Sequence, residues 1–168
     1  RIQVYVKEKP RTLVSHIGTG RHYNINSKSG RLQVLFTDSD QRNNIYNTDI
    51  ASYYENMECI EEMHHPYVVI TPDYMVYTAD FSKLIEQHIQ SEADITLLYH
   101  AVDNAKDAYL NCNILNLNKQ KGVLSIEPNH GNAKNRNIFM DTYIMKKDLF
   151  IELIRKAKAI SSAFTLAD

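Results

Sequence analysis

The chain has 168 residues, 43% of them hydrophobic and 23% charged, a size and balance that suit one folded α/β-sized domain over 1–168 and exclude disordered or collagen-like sequence. With 19 Lys and Arg against 20 Asp and Glu the net charge is −1, so no global field draws nucleic acid or an anionic membrane, and neither is expected as a partner. Cys59 and Cys112 stand outside any C-x-x-C spacing and no apolar run approaches the roughly 18 residues that span a bilayer, which predicts a cytoplasmic, reducing setting.

The chain opens Arg1-Ile2-Gln3-Val4-Tyr5-Val6, already alternating as a strand and without an initiator Met, and is expected to be a piece of a longer protein. After Pro10, Leu13, Val14 and Ile17 recur at helical spacing until Gly18 and Gly20 stop the run. Leu32, Val34 and Phe36 alternate in a second strand, and the polar run 37–44 reads as a loop. Thr48 is placed to cap a helix carrying Ile50, Tyr53, Tyr54, Met57 and Ile60 on one face and ending before Pro66.

Tyr67-Val68-Val69-Ile70 then reads as a buried strand, Asp80 as the cap of a helix with Phe81, Leu84, Ile85 and Ile89 on its apolar face, and Ile95-Thr96-Leu97-Leu98-Tyr99 as a second buried strand. Strand, helix and strand in this order predict a right-handed βαβ unit. Residues 113–118 and 122–127 flank Lys119-Gln120-Lys121 as a hairpin, 138–145 form a further strand, and Asp148 is placed to cap a last helix. The expectation is a doubly wound, Rossmann-like α/β fold with a mixed, mostly parallel sheet and its ligand at the carboxyl ends of the strands.

Several short motifs fail on their context. Gly18-Thr19-Gly20 follows a helix, whereas a phosphate loop follows a strand, so it reads as a helix stop. Cys59, His64 and His65 lack a fourth ligand at metal spacing and read as a structural cysteine and two surface histidines. The 11 tyrosines are scattered without basic interleaving, unlike a single-strand binder. Lys134 and Arg136 form a compact basic pair before a strand and are candidate phosphate contacts; a solvated loop is the alternative. Asp73, in Thr71-Pro72-Asp73-Tyr74 at a strand end, is either a hard-cation ligand or a turn residue.

Longer stretches carry a resemblance. Ser15-His16-Ile17-Gly18-Thr19-Gly20-Arg21-His22-Tyr23-Asn24-Ile25-Asn26, with Gly30-Arg31-Leu32 behind it, is similar to the H-x-G-x-G-x-x-W-D-L-N stretch of glucose-1-phosphate adenylyltransferases. Asn47-Thr48-Asp49 with Asn56 resembles that family's adenine-side segment. The run from Tyr109 to Asn118 and Asn135-Arg136-Asn137-Ile138-Phe139-Met140-Asp141-Thr142-Tyr143 resembles the regulatory, noncatalytic type of subunit of bacterial glycogen synthesis. The resemblance implies the nucleotide-diphospho-sugar transferase fold, with the family's Gly-rich loop and C-terminal β-helix lying outside this sequence. It implies a catalytic subunit as partner in a hetero-oligomer, and Mg²⁺ as the cofactor of that complex, with no cofactor held by this chain.

Departures from the family pattern set the expected function. Keeping Tyr77, Asp80 and Phe81 in register puts the family's metal-binding Asp at Tyr74 and the preceding Gly at Asp73; a phenol is a poor ligand for a hard cation. The family's Glu-Lys-Pro, whose Lys meets the sugar phosphate, is matched by Glu127-Pro128 without a lysine. The small Ser and Gly that make room for glucose fall on Met140 and Asp141, and a carboxylate there repels a sugar phosphate by about a kcal/mol or more. No catalytic residue is therefore expected. The implied function is a regulatory subunit for the synthesis of ADP-glucose and pyrophosphate from ATP and glucose-1-phosphate. The alternatives are an active nucleotidyltransferase with Asp73 on the metal, and a sensor of sugar phosphates or nucleotides.

Overall fold

The computed structural model describes residues 1–6, 10–18, 32–37, 48–161 and 163–167, which fall into two compact units, Arg1–His64 with Asp148–Asp168, and His65–Lys147. In chain order the elements are β1 (Ile2–Val6), α1 (Pro10–Ile17), β2 (Leu32–Phe36), α2 (Asp49–Glu55), α3 (Met57–Glu61) and β3 (Tyr67–Ile70). There follow α4 (Phe81–Ser91), β4 (Ile95–Val102), β5 (Asn113–Leu117), β6 (Val123–Pro128), β7 (Arg136–Lys146) and α5 (Lys147–Ile160).

In the first unit β1 and β2 pair in parallel, Ile2 opposite Leu32 through Val6 opposite Phe36. Helix α1 stops as its glycine predicts: Gly18 has φ +55° and its N–H donates to the Val14 carbonyl at 2.8 Å. Val14, expected on the buried face, is exposed. The helix predicted to run unbroken from Thr48 is two. Thr48 caps α2 as expected, its Oγ1 accepting from the Ala51 N–H at 3.2 Å. The break falls at Asn56, whose Nδ2 donates to the Ser52 carbonyl at 3.0 Å and the Phe36 carbonyl at 3.2 Å, a side-chain competitor for the helix ladder.

The core of this unit gathers Val6, Leu35, Ile50, Ala51, Ile60, Phe150 and Ile154, with Tyr53 edge-on to Tyr5 at 4.8 Å and to Phe150 at 5.2 Å. Burial raises the Tyr5 and Tyr53 hydroxyl pKa values, so both stay protonated. Helix α5 begins at Lys147, so Asp148 sits in its first turn rather than capping it, where a carboxylate still complements the helix dipole.

The second unit is built round β7. It pairs antiparallel with β3 (Tyr67 opposite Lys146, Ile70 opposite Tyr143), with β4 (Ile95 opposite Met145, Val102 opposite Arg136) and with β5 at Ile114 and Ile138, and β6 extends the sheet from β5. The α/β class with both parallel and antiparallel pairing is as expected; the mostly parallel sheet is not, since among the described strands β1 with β2 is the one parallel pair and every pairing of the second unit is antiparallel, and the adjacency also differs. β3 and β4 run in the same direction, but β7 lies between them, so they are not the neighbouring strands of a simple βαβ unit. The reason is in β7 itself: Ile138, Phe139, Tyr143, Ile144 and Met145 are buried and point to both faces, which suits the most enclosed position in the sheet.

Strands β3 and β4 are half-buried rather than buried, with Val68 alone of β3 in the core. Asp80 caps α4 as predicted, accepting from the Lys83 N–H at 3.3 Å. Phe81 and Ile89, assigned to its apolar face, are exposed, and the side chain it buries is His88. His88 Nδ1 lies 2.7 Å from Thr96 Oγ1 and its ring meets Tyr67 edge-on, while burial and then Lys146 lower its pKa and favour the neutral ring. The β5–β6 hairpin forms as predicted, its turn held by Asn118 Oδ1, which accepts from the Gln120 N–H at 2.9 Å and the Gly122 N–H at 2.8 Å. No helix of the described residues is long and apolar enough to cross a membrane.

Candidate functional site

The most distinctive backbone in the second unit is a bulge in β7. Opposite the step from Leu98 to Tyr99, the partner jumps from Thr142 to Phe139, so Met140 and Asp141 have no residue across from them on β4. Asp141 has φ +43°, in the left-handed region that favours glycine and that Asp enters more readily than most side chains. Thr142, fully buried, pins the bulge from behind: its hydroxyl donates to the Met140 carbonyl at 2.9 Å. That donor is thereby used, so the Tyr77 hydroxyl 2.5 Å away donates to Thr142 Oγ1 and ties the segment after β3 to the bulge. Two predicted site residues, Met140 and Asp141, are therefore adjacent in one strained, well-held element.

The turn after β3 is different in kind. Asp73 and Tyr74 are both exposed, Tyr74 by 64%, and Val76 beyond them is 102% exposed. No group of three or more His, Cys, Asp and Glu able to hold a metal occurs among the described residues, Cys59, His64 and His65 included. One exposed carboxylate beside a phenol is not the set of six or more oxygen ligands, or carboxylate pair with phosphates, that a hard divalent cation takes. The Mg²⁺ implied by the resemblance does not fit here.

Glu127, on β6, is exposed and accepts from Asn116 Nδ2 at 2.8 Å, which also donates to Ser125 Oγ at 2.9 Å. Lys134 has an exposed side chain, and its backbone carbonyl accepts from the Ala105 N–H at 2.9 Å. Arg136 is half-buried and, without Lys134, lines an open cleft of about 610 Å³ where β4 ends and β7 begins. The structure thus divides the basic pair that the sequence grouped. In the adenine-side segment Thr48 and Asn56 have the helix-capping and helix-breaking roles described above. Asn47, and residues 19–31 of the stretch that resembles the family's H-x-G-x-G-x-x-W-D-L-N motif, lie outside the described residues.

Sequence reasoning missed two residues that organise this region. Thr142 is one. Asn129 is the other: it is 1% exposed, and its Nδ2 donates to the carbonyls of Ala105 at 2.8 Å, Tyr109 at 3.0 Å and Ala108 at 3.3 Å, while its Oδ1 accepts from the Gly131 N–H at 3.1 Å. Loop 103–112 is folded over this one amide, with Tyr109 and Asn111 at φ +56° and +65°. The signal available was chemical: an Asn next to Pro128 and two residues before a glycine is turn chemistry, but the carbonyls it holds lie 20 or more residues away.

Superposition on solved structures gives the class: the chain has the sugar-1-phosphate nucleotidyltransferase fold. It superposes on HddC from Yersinia pseudotuberculosis, solved as a complex with GMP-PN, with a TM-score of 0.70 over 99% of this chain and 62% of that one at 14% identity. It superposes on a putative glucose-1-phosphate thymidylyltransferase from Bacillus anthracis, solved with a sucrose, with a TM-score of 0.65 over 96% and 58% at 13% identity.

By sequence the chain is similar to proteins named glucose-1-phosphate adenylyltransferase. That of Clostridium perfringens (strain SM101) is 27% identical over 85% of this chain, and that of Clostridioides difficile 23% identical over 94%. That of Fusobacterium nucleatum is 30% identical over 57% of this chain. The chain spans only 37% and 40% of the length of the first two relatives. No protein-family model matches it.

Proposed function

We propose that this chain is part of a regulatory, noncatalytic subunit of a glucose-1-phosphate adenylyltransferase, that it forms part of a single nucleotidyltransferase-like domain, and that it acts in the cytoplasm beside a catalytic subunit in glycogen synthesis. The complex would join the phosphate oxygen of glucose-1-phosphate to the α-phosphorus of ATP and release pyrophosphate, with Mg²⁺ held by the catalytic partner. The observation that carries the reading is the β7 bulge. The resemblance assigns a small Ser-Gly pair to it, and its second residue has the φ of +43° that a glycine adopts without strain, yet Met140 and Asp141 occupy it.

The chemistry follows from what those two side chains do. Met140 adds bulk where a sugar ring needs room, and the Asp141 carboxylate opposes a dianionic phosphate, by about 1–4 kcal/mol for unit charges 4 Å apart in a wet cleft. At Tyr74 a phenol replaces the metal carboxylate, and Glu127 is followed by Pro128 with no lysine to meet the sugar phosphate. Nucleotidyl transfer depends on positioned cations and metal-bridged phosphates, so losing these together leaves the centre silent.

The test is turnover of the purified full-length protein, alone and mixed with a catalytic subunit. The expected result is no ADP-glucose formation alone and altered kinetics in the mixture; turnover alone at the rate of a catalytic subunit refutes the reading. Titration of Mg-ATP into wild type and Asp73→Asn separates it from an active enzyme using Asp73, which requires binding that the substitution removes.

A further inference from the structure

Arg136 stands opposite Val102, at the mouth of the cleft that it lines with His100, Asp103, Asn104 and Asn135. The pleat puts it on the face of Ile138, which is packed with Ala105 and Ile114 and flanked by Val102, so an apolar cluster on this face adjoins the polar residues of the cleft. The Ala105 to Lys134 backbone hydrogen bond staples loop 103–112 across this end of the sheet. Within that setting the Arg136 Nε is buried and has no hydrogen-bond partner. The ion pairs between described residues are Lys83 with Asp80, Arg155 with Glu61 and Lys156 with Glu152, and none of them uses Arg136.

A second cavity makes the contrast. Its two cations, Arg155 and Lys156, are the ones already paired with Glu61 and Glu152. In the Arg136 cleft the one carboxylate of the lining, Asp103, makes no ion pair with Arg136 and the buried Nε has no acceptor, and a buried donor without a partner is destabilising unless something else supplies the acceptor.

We propose that this cleft binds a small oxyanion, a phosphate or carboxylate group on a hydroxylated metabolite, with Arg136 as its charged donor. A planar guanidinium is suited to either group because it donates two parallel N–H bonds. The amides of Asn104 and Asn135 supply neutral donors on the rim. The Asp103 carboxylate repels a second anionic group but accepts from a hydroxyl, which selects a ligand carrying one oxyanion and neighbouring hydroxyls. Lys134, outside the cleft lining, takes no part. The proposal rests on the cleft alone and stands or falls independently of the silent reaction centre.

The experiment is thermal melting and calorimetric titration of the full chain with sodium phosphate, with sodium glycolate as a hydroxy-carboxylate, and with sodium chloride at matched ionic strength. Phosphate or glycolate is expected to raise the melting temperature where chloride does not, and the responding arm identifies the group. Arg136→Met is expected to weaken that binding about tenfold or more. In anion-free buffer the same variant should melt no lower than wild type, because it removes an unpartnered buried donor and keeps the apolar stem. No response to either probe, a response retained in Arg136→Met, or a lower melting temperature of that variant without anion overturns the proposal. Should Arg136→Met fail to fold, the ¹⁵N resonance of Arg136 Nε in wild type is followed during the phosphate and glycolate titrations; a shift with either supports the site, and none with both overturns it.

Discussion

Two stretches of the second unit that the family resemblance assigns to one reaction centre are built in opposite ways. The bulge of β7 is held by Thr142, which is fully buried and bonded to Met140 and Tyr77, and elsewhere in the same unit loop 103–112 is folded over the Asn129 amide. The turn after β3 is open, with Tyr74 and Val76 standing in solvent. Where a network over-determines the backbone, its unusual conformation outlasts a change of residue, and Asp141 keeps a positive φ that suits glycine. Where nothing packs against a side chain, the residue is free to change and leaves no trace in the backbone.

The largest way to break that contrast is to remove the amide under loop 103–112. Asn129→Ala strands the carbonyls of Ala105 and Tyr109 and the Gly131 N–H in a buried place, and about 3 kcal/mol of stability is expected to be lost, read as a lower urea midpoint with an unchanged slope. A loss within experimental error would mean that the loop is held by something other than this side chain. Thr142→Val comes next. It keeps the shape but leaves the Tyr77 hydroxyl and the Met140 carbonyl unpartnered by the threonine hydroxyl, for an expected loss of about 2 kcal/mol.

Asp141→Gly reverses the sign. Relief of a left-handed non-glycine residue is worth about 1–2 kcal/mol, offset by about 0.5–1 kcal/mol of extra chain entropy in the unfolded state, so a net gain of roughly 0.5 kcal/mol is expected. A clear destabilisation would show that the interactions of the Asp141 side chain outweigh the strain, and the bulge would then be maintained by its aspartate rather than despite it.

What the sequence disclosed divides along the same physical line. Thr48, Asp80 and Gly18 were legible because a cap or stop acts within three or four residues of itself, and the β5–β6 hairpin because its turn is closed by Asn118 alone. The insertion of β7 between β3 and β4 was not, since pairing Tyr67 with Lys146 leaves no local mark. Asn129 and Thr142 were missed for the same reason: the partner of the Thr142 hydroxyl, Tyr77, is 65 positions away. The basic pair Lys134 and Arg136 was visible, but which of them is buried depends on β4, which the sequence around 134–136 does not contain.

The smallest expected effect sharpens the comparison most. Tyr74→Asp puts a carboxylate where the family resemblance has its metal ligand, on a side chain 64% exposed and with little to lose, so stability should stay within about 0.5 kcal/mol of wild type. Turnover in the presence of Mg-ATP and glucose-1-phosphate should also stay absent, because Met140 and Asp141 still fill the bulge and no lysine follows Glu127. Turnover gained from this one change would mean that the open turn alone had silenced the site and that the bulge still admits a sugar. If turnover stays absent in Tyr74→Asp but a sugar phosphate binds once Met140→Ser and Asp141→Gly are added, the obstacle lies in the held element, where bulk and charge fill a backbone shape made for neither.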